Sequence, residues 1–254
     1  MDEPLISIIT VVYNAELTLE STIKSVLGQQ KDLFEYWIID GGSTDGSLDL
    51  IHKYESELAG WISEPDKGIY DAMNKGIERA KGKWLYFLGA DDQLNEGIVA
   101  IVASNLNSNL VAVYGDVIYD TGDIMHSWLG YGTLMQNTLH HQATFYKRTL
   151  FEKFRYNTTY RVISDYELNL QIYLKKQATL FIPYIIATCG STGTSSILST
   201  KEVNDLRSKY VKNKLINYAL NTMLEFYYFY FKSKRNIRYK LNKLPDLFGF
   251  HRRM

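Results

Sequence analysis

Four polar side chains stand where predicted strands of this 254-residue chain end. Asn14 follows the first strand, Asp40 follows the second, and the adjacent Asp91 and Asp92 follow an apolar run at residues 84–88. Asparagine and aspartate are also good turn and capping residues, so neither alone is decisive. Two neighbouring carboxylates repel each other unless a cation or hydrogen-bond donors compensate them. A divalent cation with oxygen ligands is the simplest compensation, and phosphate oxygens would complete its shell, which predicts a diphosphate ligand.

The segment after the second strand, residues 40–46 (DGGSTDG), is rich in glycine. Glycine lets the backbone turn sharply and approach a ligand closely. The chain has no Gly-Lys-Ser/Thr phosphate loop and no Gly-x-Gly-x-x-Gly fingerprint after the first strand. These absences argue against P-loop enzymes and dinucleotide dehydrogenases. A nucleotide held by carboxylates fits the sequence better.

Alternating strands and helices must position these residues. Strands are predicted at residues 6–13, 36–39, 61–62, 84–88 and 111–114, and helices at residues 19–27, 48–54, 70–80 and 96–106. This alternation is typical of crossover units, and therefore of a mostly parallel α/β sheet that binds ligands beyond the carboxyl ends of its strands. The uninterrupted apolar strands indicate helices on both faces of the sheet.

The second half predicts a different organisation. From residue 116 the pattern changes to mixed strands and loops, followed by a helix at 164–175, a strand at 179–187, a small-residue loop at 190–196 and a helix at 202–243. We therefore expect a catalytic domain at 1–200, divided into a nucleotide-binding half at 1–115 and an acceptor-binding half at 116–200. Residues 201–254 would form a basic, aromatic helical tail.

Charge is unevenly distributed along a chain whose net charge is zero. Residues 207–254 carry a net charge of +10, so the preceding residues carry −10. A basic segment of this kind favours an anionic surface. Nucleic acid is a poor candidate, because the remaining chain is acidic and contains no recognition motif.

Three features predict a cytoplasmic protein. The single cysteine, Cys189, excludes an intrachain disulfide and fits a reducing compartment. The chain begins with acidic residues where a signal peptide would be basic. No apolar run is long enough to span a bilayer.

Six segments, in order along residues 4–196, resemble the family 2 glycosyltransferases of GT-A fold, particularly bacterial enzymes of O-antigen, capsule or colanic-acid-like polysaccharide synthesis. They are residues 8–14 (IITVVYN), 40–46 (DGGSTDG), 63–76 (SEPDKGIYDAMNKG), 80–92 (AKGKWLYFLGADD), 141–145 (HQATF) and 164–167 (SDYE). The resemblance implies a Rossmann-like sheet that binds a nucleotide sugar.

The resemblance also implies roles for individual residues. The nucleotide pocket would be lined by Thr10, Val12, Tyr13 and Asn14. Asp40 would bind the base, typically uracil, and Asp71 and Asn74 would shape the ribose and sugar side. Asp91 and Asp92 would stand at the family's Asp-x-Asp motif, whose first position here is Gly89. They would hold Mn²⁺ or Mg²⁺, with Asp91 also contacting the donor, and which of the two binds the metal stays open.

Asp165 stands where the family has its catalytic base. Acids in a first helical turn are also favoured by the helix dipole, which is the structural alternative for Asp165 and Glu167. His140 and His141 are an acceptor-site pair, metal ligands or packed polar residues, and we group them with Tyr166 and Glu167 as acceptor-site or auxiliary candidates. The loop at 190–196 is either a plain connection or a lid over the nucleotide.

The chemistry agrees with these roles. Displacing a nucleoside diphosphate from a sugar needs charge stabilisation on the leaving group and a base for the incoming hydroxyl. One base without an enzyme nucleophile gives direct displacement with inversion. We therefore expect an inverting, metal-dependent hexosyltransferase that transfers sugar from a UDP-sugar to a polyprenyl-diphosphate-linked saccharide. The alternatives are a sugar-nucleotide nucleotidyltransferase and a non-catalytic nucleotide-sugar-binding subunit.

The segment at 214–243 predicts a membrane contact. Asn217, Asn221 and Glu225 recur every fourth residue as a narrow polar stripe, the other positions up to residue 231 are largely apolar or aromatic, and basic residues follow. Aromatic residues beside cations suit an interface with anionic lipid, which predicts a peripheral protein on the inner face of the cytoplasmic membrane. The alternative is that this helix docks on the catalytic domain or in a homodimer.

Overall fold

The computed structural model describes residues 3–190 and 200–242, with side chains described as far as residue 230. The chain divides into two compact units, Met1–Ser199 and Thr200–Met254.

The first unit alternates strands and helices along its first half. Its strands are β1 (Ile6–Val12), β2 (Phe34–Asp40), β3 (Gly60–Ser63), β4 (Trp84–Gly89), β5 (Gln93–Leu94), β6 (Ala112–Tyr119), β7 (Ile124–Met125), β8 (Thr144–Lys147) and β9 (Thr179–Cys189). Its helices are α1 (Leu19–Leu27), α2 (Ser47–Tyr54), α3 (Ile69–Arg79), α4 (Ile98–Asn105) and α5 (Ser164–Leu174). The boundaries agree with the predicted elements to within a few residues, whereas β5, β7 and β8 were not individually predicted.

Within the described residues the strands form one sheet, in the order β3-β2-β1-β4-β8-β6-β9-β5, and β7 pairs with β6. The first four strands are parallel neighbours, with Ile9 of β1 opposite Trp37 of β2 and Phe87 of β4. β8 is antiparallel to both β4 and β6, and β9 is parallel to β6. The predicted α/β fold is confirmed. The division into a nucleotide-binding half at 1–115 and an acceptor-binding half at 116–200 stays a prediction.

Two apolar cores cover the two faces of this sheet. Successive residues of a strand point to opposite faces. Accordingly, Ile8 packs in one core and Ile9 in the other, as Tyr86 and Phe87 do on β4. Helix α3 lies close to β1. A Cβ atom built on Gly76 of α3 would stand only 2.5 Å from Ile9 Cγ2 of β1. The sheet is therefore covered on both faces, as the apolar strands predicted.

The second unit corrects one prediction. Instead of a continuous helix at 202–243 it has α6 (Thr200–Tyr210) and α7 (Lys214–Asn242). The Asn213 side-chain oxygen accepts hydrogen bonds from the backbone N–H of Leu215 (3.0 Å) and Ile216 (3.1 Å). Such an N-cap satisfies the first free donors of a helix, so α7 begins anew at this position.

The two helices of this unit share a buried cation. Arg207 of α6 is fully buried, and its guanidinium donates to the side-chain oxygens of Asn204 (3.0 Å) and Asn217 (3.1 Å). The polar stripe of α7 therefore faces α6 at Asn217. Among the described residues, no helix is both long enough and apolar enough to cross a bilayer.

Candidate active site

The loops after β1 and β2 are fastened to each other at the carboxyl edge of the sheet. Asn14 has a left-handed backbone (φ 48°), its N–H donates to Ser43 Oγ (2.8 Å), and its side-chain oxygen accepts from the Thr44 N–H (2.9 Å). Asn14 is thus exposed at this edge, but its side-chain oxygen holds the neighbouring loop.

Asp40 shapes the same loop from inside. It is fully buried, and its carboxylate accepts four hydrogen bonds. The donors are the backbone N–H groups of Gly42 and Ser43 (both 3.0 Å), the Ser43 hydroxyl and the Ser63 hydroxyl (2.7 Å). These donors, all from neighbouring loop residues, occupy the Asp40 carboxylate. Its predicted contact with the nucleotide base stays a prediction.

Two of the predicted pocket residues on β1 have buried side chains. Thr10 is fully buried, and its hydroxyl pairs with the Tyr36 hydroxyl at 2.9 Å. Val12 is also buried and belongs to the apolar core. Both faces of the sheet are covered, so side chains on this central strand point into a core. Tyr13, which follows β1, has 64% of its surface exposed, and the predicted pocket lining stays a prediction.

Asp92 is held entirely by protein donors. Only 2% of it is exposed. One carboxylate oxygen accepts from the Gln142 amide (2.7 Å) and the Gly89 N–H (3.1 Å), and the other accepts from the Gly190 N–H (3.1 Å). A carboxylate saturated in this way ties β4 to the segments around residues 142 and 190. Its geometry is that of a structural anchor.

Asp91 has the opposite environment. It is exposed, and no other residue in the described part of the chain donates a hydrogen bond to its carboxylate. Partial desolvation, followed by the negative charge of Asp92, raises the pKa of Asp91 above its usual range. When the ionised form of a carboxylate is disfavoured, an approaching cation stabilises that form. Asp91 is therefore the carboxylate that fits a metal ion.

The described residues contain no cluster of three or more His, Cys, Asp or Glu side chains that could hold a metal ion. A hard divalent cation bound through one carboxylate keeps most of its shell for waters and substrate phosphate oxygens. Asp91 fits Mn²⁺ or Mg²⁺ in this manner.

Asp165 lies in a buried network of neutral donors. It opens α5 and is 5% exposed. The Tyr70 hydroxyl donates to one carboxylate oxygen (3.1 Å), and the Asn137 amide donates to the other (2.8 Å). Asn137 is itself fixed by Asn169, whose amide donates to its side-chain oxygen at 2.9 Å. The position of the Asp165 carboxylate is thus defined by α3, α5 and the loop before β8.

Two stacked histidines lie beside Asp165. The rings of His140 and His141 lie 5.4 Å apart and nearly parallel. His141 Nδ1 is 3.6 Å from the Asp165 carboxylate. Burial, and then His141, lowers the pKa of His140 to about 3, so His140 is neutral at physiological pH. His141 is therefore the histidine that adjoins the candidate base.

The remaining predicted residues make structural contacts. Asn74 forms two hydrogen bonds with the backbone of Tyr156, at 2.8 and 2.9 Å. The Asp71 carboxylate accepts from the Lys67 N–H at 3.1 Å. Tyr166 is fully buried, and its hydroxyl donates to the Thr133 carbonyl at 2.9 Å. Glu167 is partly exposed on α5. From residue 191, the proposed lid loop lies outside the described residues.

Sequence reasoning missed three residues of this site, namely Tyr70, Asn137 and Gln142. Tyr70 and Gln142 lie inside two of the segments quoted above, so their types were visible but their partners were not. Asn137 lies in no recognised segment. Its contact with Asp165 joins residues 28 positions apart in sequence, and no local pattern reports it.

Known proteins match this chain in sequence and in fold. The family model for glycosyl transferase family 2 matches residues 7–176. A PGL/p-HBAD biosynthesis glycosyltransferase of Mycobacterium bovis BCG is 34% identical over 207 residues, which cover 76% of this chain and 79% of that protein.

Solved structures share the fold. S. aureus TarS 1–349 in complex with UDP-GlcNAc superposes with a TM-score of 0.69 at 14% identity, over 89% of this chain and 73% of that one. The chain spans 43% of a longer TarS structure. The mannosyltransferase PcManGT of Pyrobaculum calidifontis, in complex with GDP-Man and Mn²⁺, gives a TM-score of 0.57 at 18% identity, over 75% and 57% of the two chains.

Proposed function

The chain belongs to glycosyl transferase family 2, and we propose that it is an inverting enzyme that transfers a sugar from a UDP-sugar to a lipid-linked saccharide. The observation that carries this proposal is the contrast between the environments of the two carboxylates Asp91 and Asp165. Asp91 is exposed and lacks compensating protein donors, whereas Asp165 is buried and held by Tyr70 and Asn137. Leaving-group stabilisation and proton removal require two such different carboxylates.

Asp165 serves as the general base in this proposal. The acceptor oxygen attacks the anomeric carbon while its proton passes to a carboxylate oxygen of Asp165. The bond between that carbon and the diphosphate oxygen breaks, and its electron pair leaves with the nucleoside diphosphate. Tyr70 and Asn137 hold the base in position by donating neutral hydrogen bonds to its two carboxylate oxygens. A single displacement of this kind inverts the anomeric configuration.

Asp91 serves the donor side. A divalent ion bound there would neutralise charge on the leaving diphosphate. The chain's own residues orient the donor: Tyr13 is exposed beside the loops that Asn14 and Asp40 fasten together. A uracil nucleotide is favoured by the UDP-GlcNAc complex of TarS, and Mn²⁺ by the PcManGT complex, although these similarities establish only the fold for this chain.

The second unit supports a membrane-associated acceptor. Side chains of α7 expose a broad apolar surface, which we call the α7 apolar face: Leu215, Ile216, Tyr218, Met223, Phe226, Tyr227, Phe229 and Tyr230. Basic residues follow in the sequence from Lys232. An amphipathic helix with this composition lies in a membrane interface, where a polyprenyl-linked acceptor would be found. A homodimer contact is the competing use of this surface.

A donor panel tests the proposed activity. Nucleotide sugars are added to the full chain with Mn²⁺ or with EDTA, and thermal stabilisation and release of nucleoside diphosphate are recorded. We expect UDP-sugars to stabilise the protein and UDP release to require the metal. Release of pyrophosphate from a sugar phosphate and a nucleoside triphosphate would identify a nucleotidyltransferase instead. Binding without turnover, over a panel of lipid-linked acceptors, would identify a binding subunit.

A further inference from the structure

An open cleft of about 180 Å³ lies beside the candidate base, at the start of α3. It is lined by two short segments, residues 67–70 and 158–161, whose polar side chains are Lys67, Tyr70, Thr158, Thr159, Tyr160 and Arg161. We propose that this cleft binds a phosphate group of the acceptor, next to the hydroxyl that Asp165 deprotonates. The assignment of this phosphate to an acceptor rests on the proposed function, whereas the preference for an anion follows from the cleft itself.

The charge of the lining is positive. Lys67 and Arg161 are both exposed, and no acidic residue lines the cleft. The nearest acids in the sequence are turned towards the backbone: Asp66 accepts from the Gly68 N–H (2.8 Å) and Asp71 accepts from the Lys67 N–H (3.1 Å). An arginine and a lysine on opposite segments suit the tetrahedral oxygens of a phosphate group.

The backbone at the start of α3 adds to this preference. Helix α3 begins in the cleft at Ile69, and its N-cap residue Gly68 has no side chain that could cap the first turn. Gly68 has a φ of 112°, and a Cβ built on it would meet nothing within 4 Å, so the position is open to a ligand. The N–H groups of a first helical turn carry partial positive charge that stabilises an anion.

The opposite wall is rigid. The Asn157 side-chain oxygen accepts from both the N–H (2.9 Å) and the hydroxyl (2.8 Å) of Thr159. The backbone of Tyr156, the residue before Asn157, forms two hydrogen bonds with the side chain of Asn74 on α3. The two walls of the cleft are therefore connected, and a ligand finds its partners already in place.

The position of the cleft favours the acceptor over the donor. Tyr70 lines the cleft and donates its hydroxyl to Asp165 at 3.1 Å. The cleft therefore adjoins the proposed base through Tyr70. The acceptor hydroxyl meets this base, whereas the donor diphosphate is proposed to lie at Asp91, so a phosphate in the cleft belongs to the acceptor.

Titration of phenyl phosphate into the full chain tests this inference. Binding is followed by ³¹P NMR, with and without saturating UDP, for wild type and for the double variant Lys67→Gln/Arg161→Gln. Lys153→Gln removes an exposed positive charge outside the cleft and is the matched control. We expect phenyl phosphate to bind in the presence of UDP. The double variant should weaken this binding by at least about a hundredfold, because two charged hydrogen bonds are lost and each is worth about one decade or more.

The inference requires that the melting temperature of the double variant match that of the Lys153→Gln control, and that its UDP affinity stay within about twofold of the control's. Competition between UDP and phenyl phosphate, with weaker UDP binding in the double variant, would assign the cleft to the donor and overturn the inference. Equal phenyl phosphate binding by wild type and double variant, or none by either, would also overturn it. If phenyl phosphate binds as expected but no nucleotide sugar does, the anion site stands and the proposed transferase function fails.

Discussion

The adjacent carboxylates Asp91 and Asp92 provide the sharpest prediction, because their environments predict opposite responses to the same substitution. Asp92→Ala removes the acceptor of two backbone N–H groups, on Gly89 and Gly190, which the chain cannot redirect easily. A buried unsatisfied donor costs about 1–3 kcal/mol, so we expect the free energy of unfolding to fall by about 2–6 kcal/mol. That is a large share of the stability of an ordinary domain.

Asp91→Ala leaves no such donor behind. The folded-state pKa of Asp91 is raised by desolvation and by Asp92, so ionised Asp91 destabilises the metal-free fold. The substitution should therefore leave stability unchanged or increase it at neutral pH. This gain is present above the raised folded-state pKa and disappears as pH falls below the unfolded value of about 3.9. Turnover should fall by about 10³-fold, which corresponds to about 4 kcal/mol of lost leaving-group stabilisation.

Urea denaturation in EDTA at about pH 7.5 and about pH 4 measures both stabilities, and UDP release with Mn²⁺ measures turnover. Stabilisation by Mn²⁺ with UDP should be lost in Asp91→Ala and retained in Asp92→Ala at a temperature where that variant is folded. Two results would refute the reasoning. One is an equal loss of stability in both variants. The other is an Asp91→Ala variant with full metal-dependent turnover.

Three further predictions concern the base, the α3 contact and the tail. Asp165→Asn should reduce turnover by about 10²- to 10⁴-fold with unchanged UDP-sugar affinity, and loss of affinity at retained turnover would make Asp165 a donor-pocket residue. Asn74→Ala should lower the free energy of unfolding by about 1–3 kcal/mol, since it breaks both bonds to Tyr156, and calorimetry showing no loss would contradict that contact. Binding of the chain to anionic vesicles should weaken in high salt, and flotation should be lost when four basic residues are changed to Gln; flotation unchanged by these substitutions would remove the electrostatic contact. These residues are Lys232, Lys234, Arg235 and Arg238.

Much of the fold could be predicted because its strands and helices depend on local sequence patterns. The β-branched run at Ile6–Val12 and the helical period at Leu19–Leu27 depend on neighbours a few residues away, and both elements appear where expected. The alternation of such elements then predicted a parallel sheet with covered faces. The tail shows the limit of periodicity: the helical pattern continues through Asn213, and only the bonds that Asn213 makes to Leu215 and Ile216 end one helix and begin another.

The sequence by itself also determined which residue types gather at the carboxyl edge of the sheet, because parallel strands bring their ends together whatever follows. It did not determine what each side chain does there. Thr10 and Val12 are buried because both faces of the sheet are covered, although they belong to the same segment as the exposed Tyr13. Asp91 and Asp92 are neighbours of identical type, and the sequence left open which of them binds a metal. Asp92 accepts hydrogen bonds from Gln142 and Gly190, which are 50 and 98 residues away, whereas Asp91 is exposed. Hydrogen bonds between such distant residues exist only once the chain has folded, so only the tertiary structure distinguished the two carboxylates.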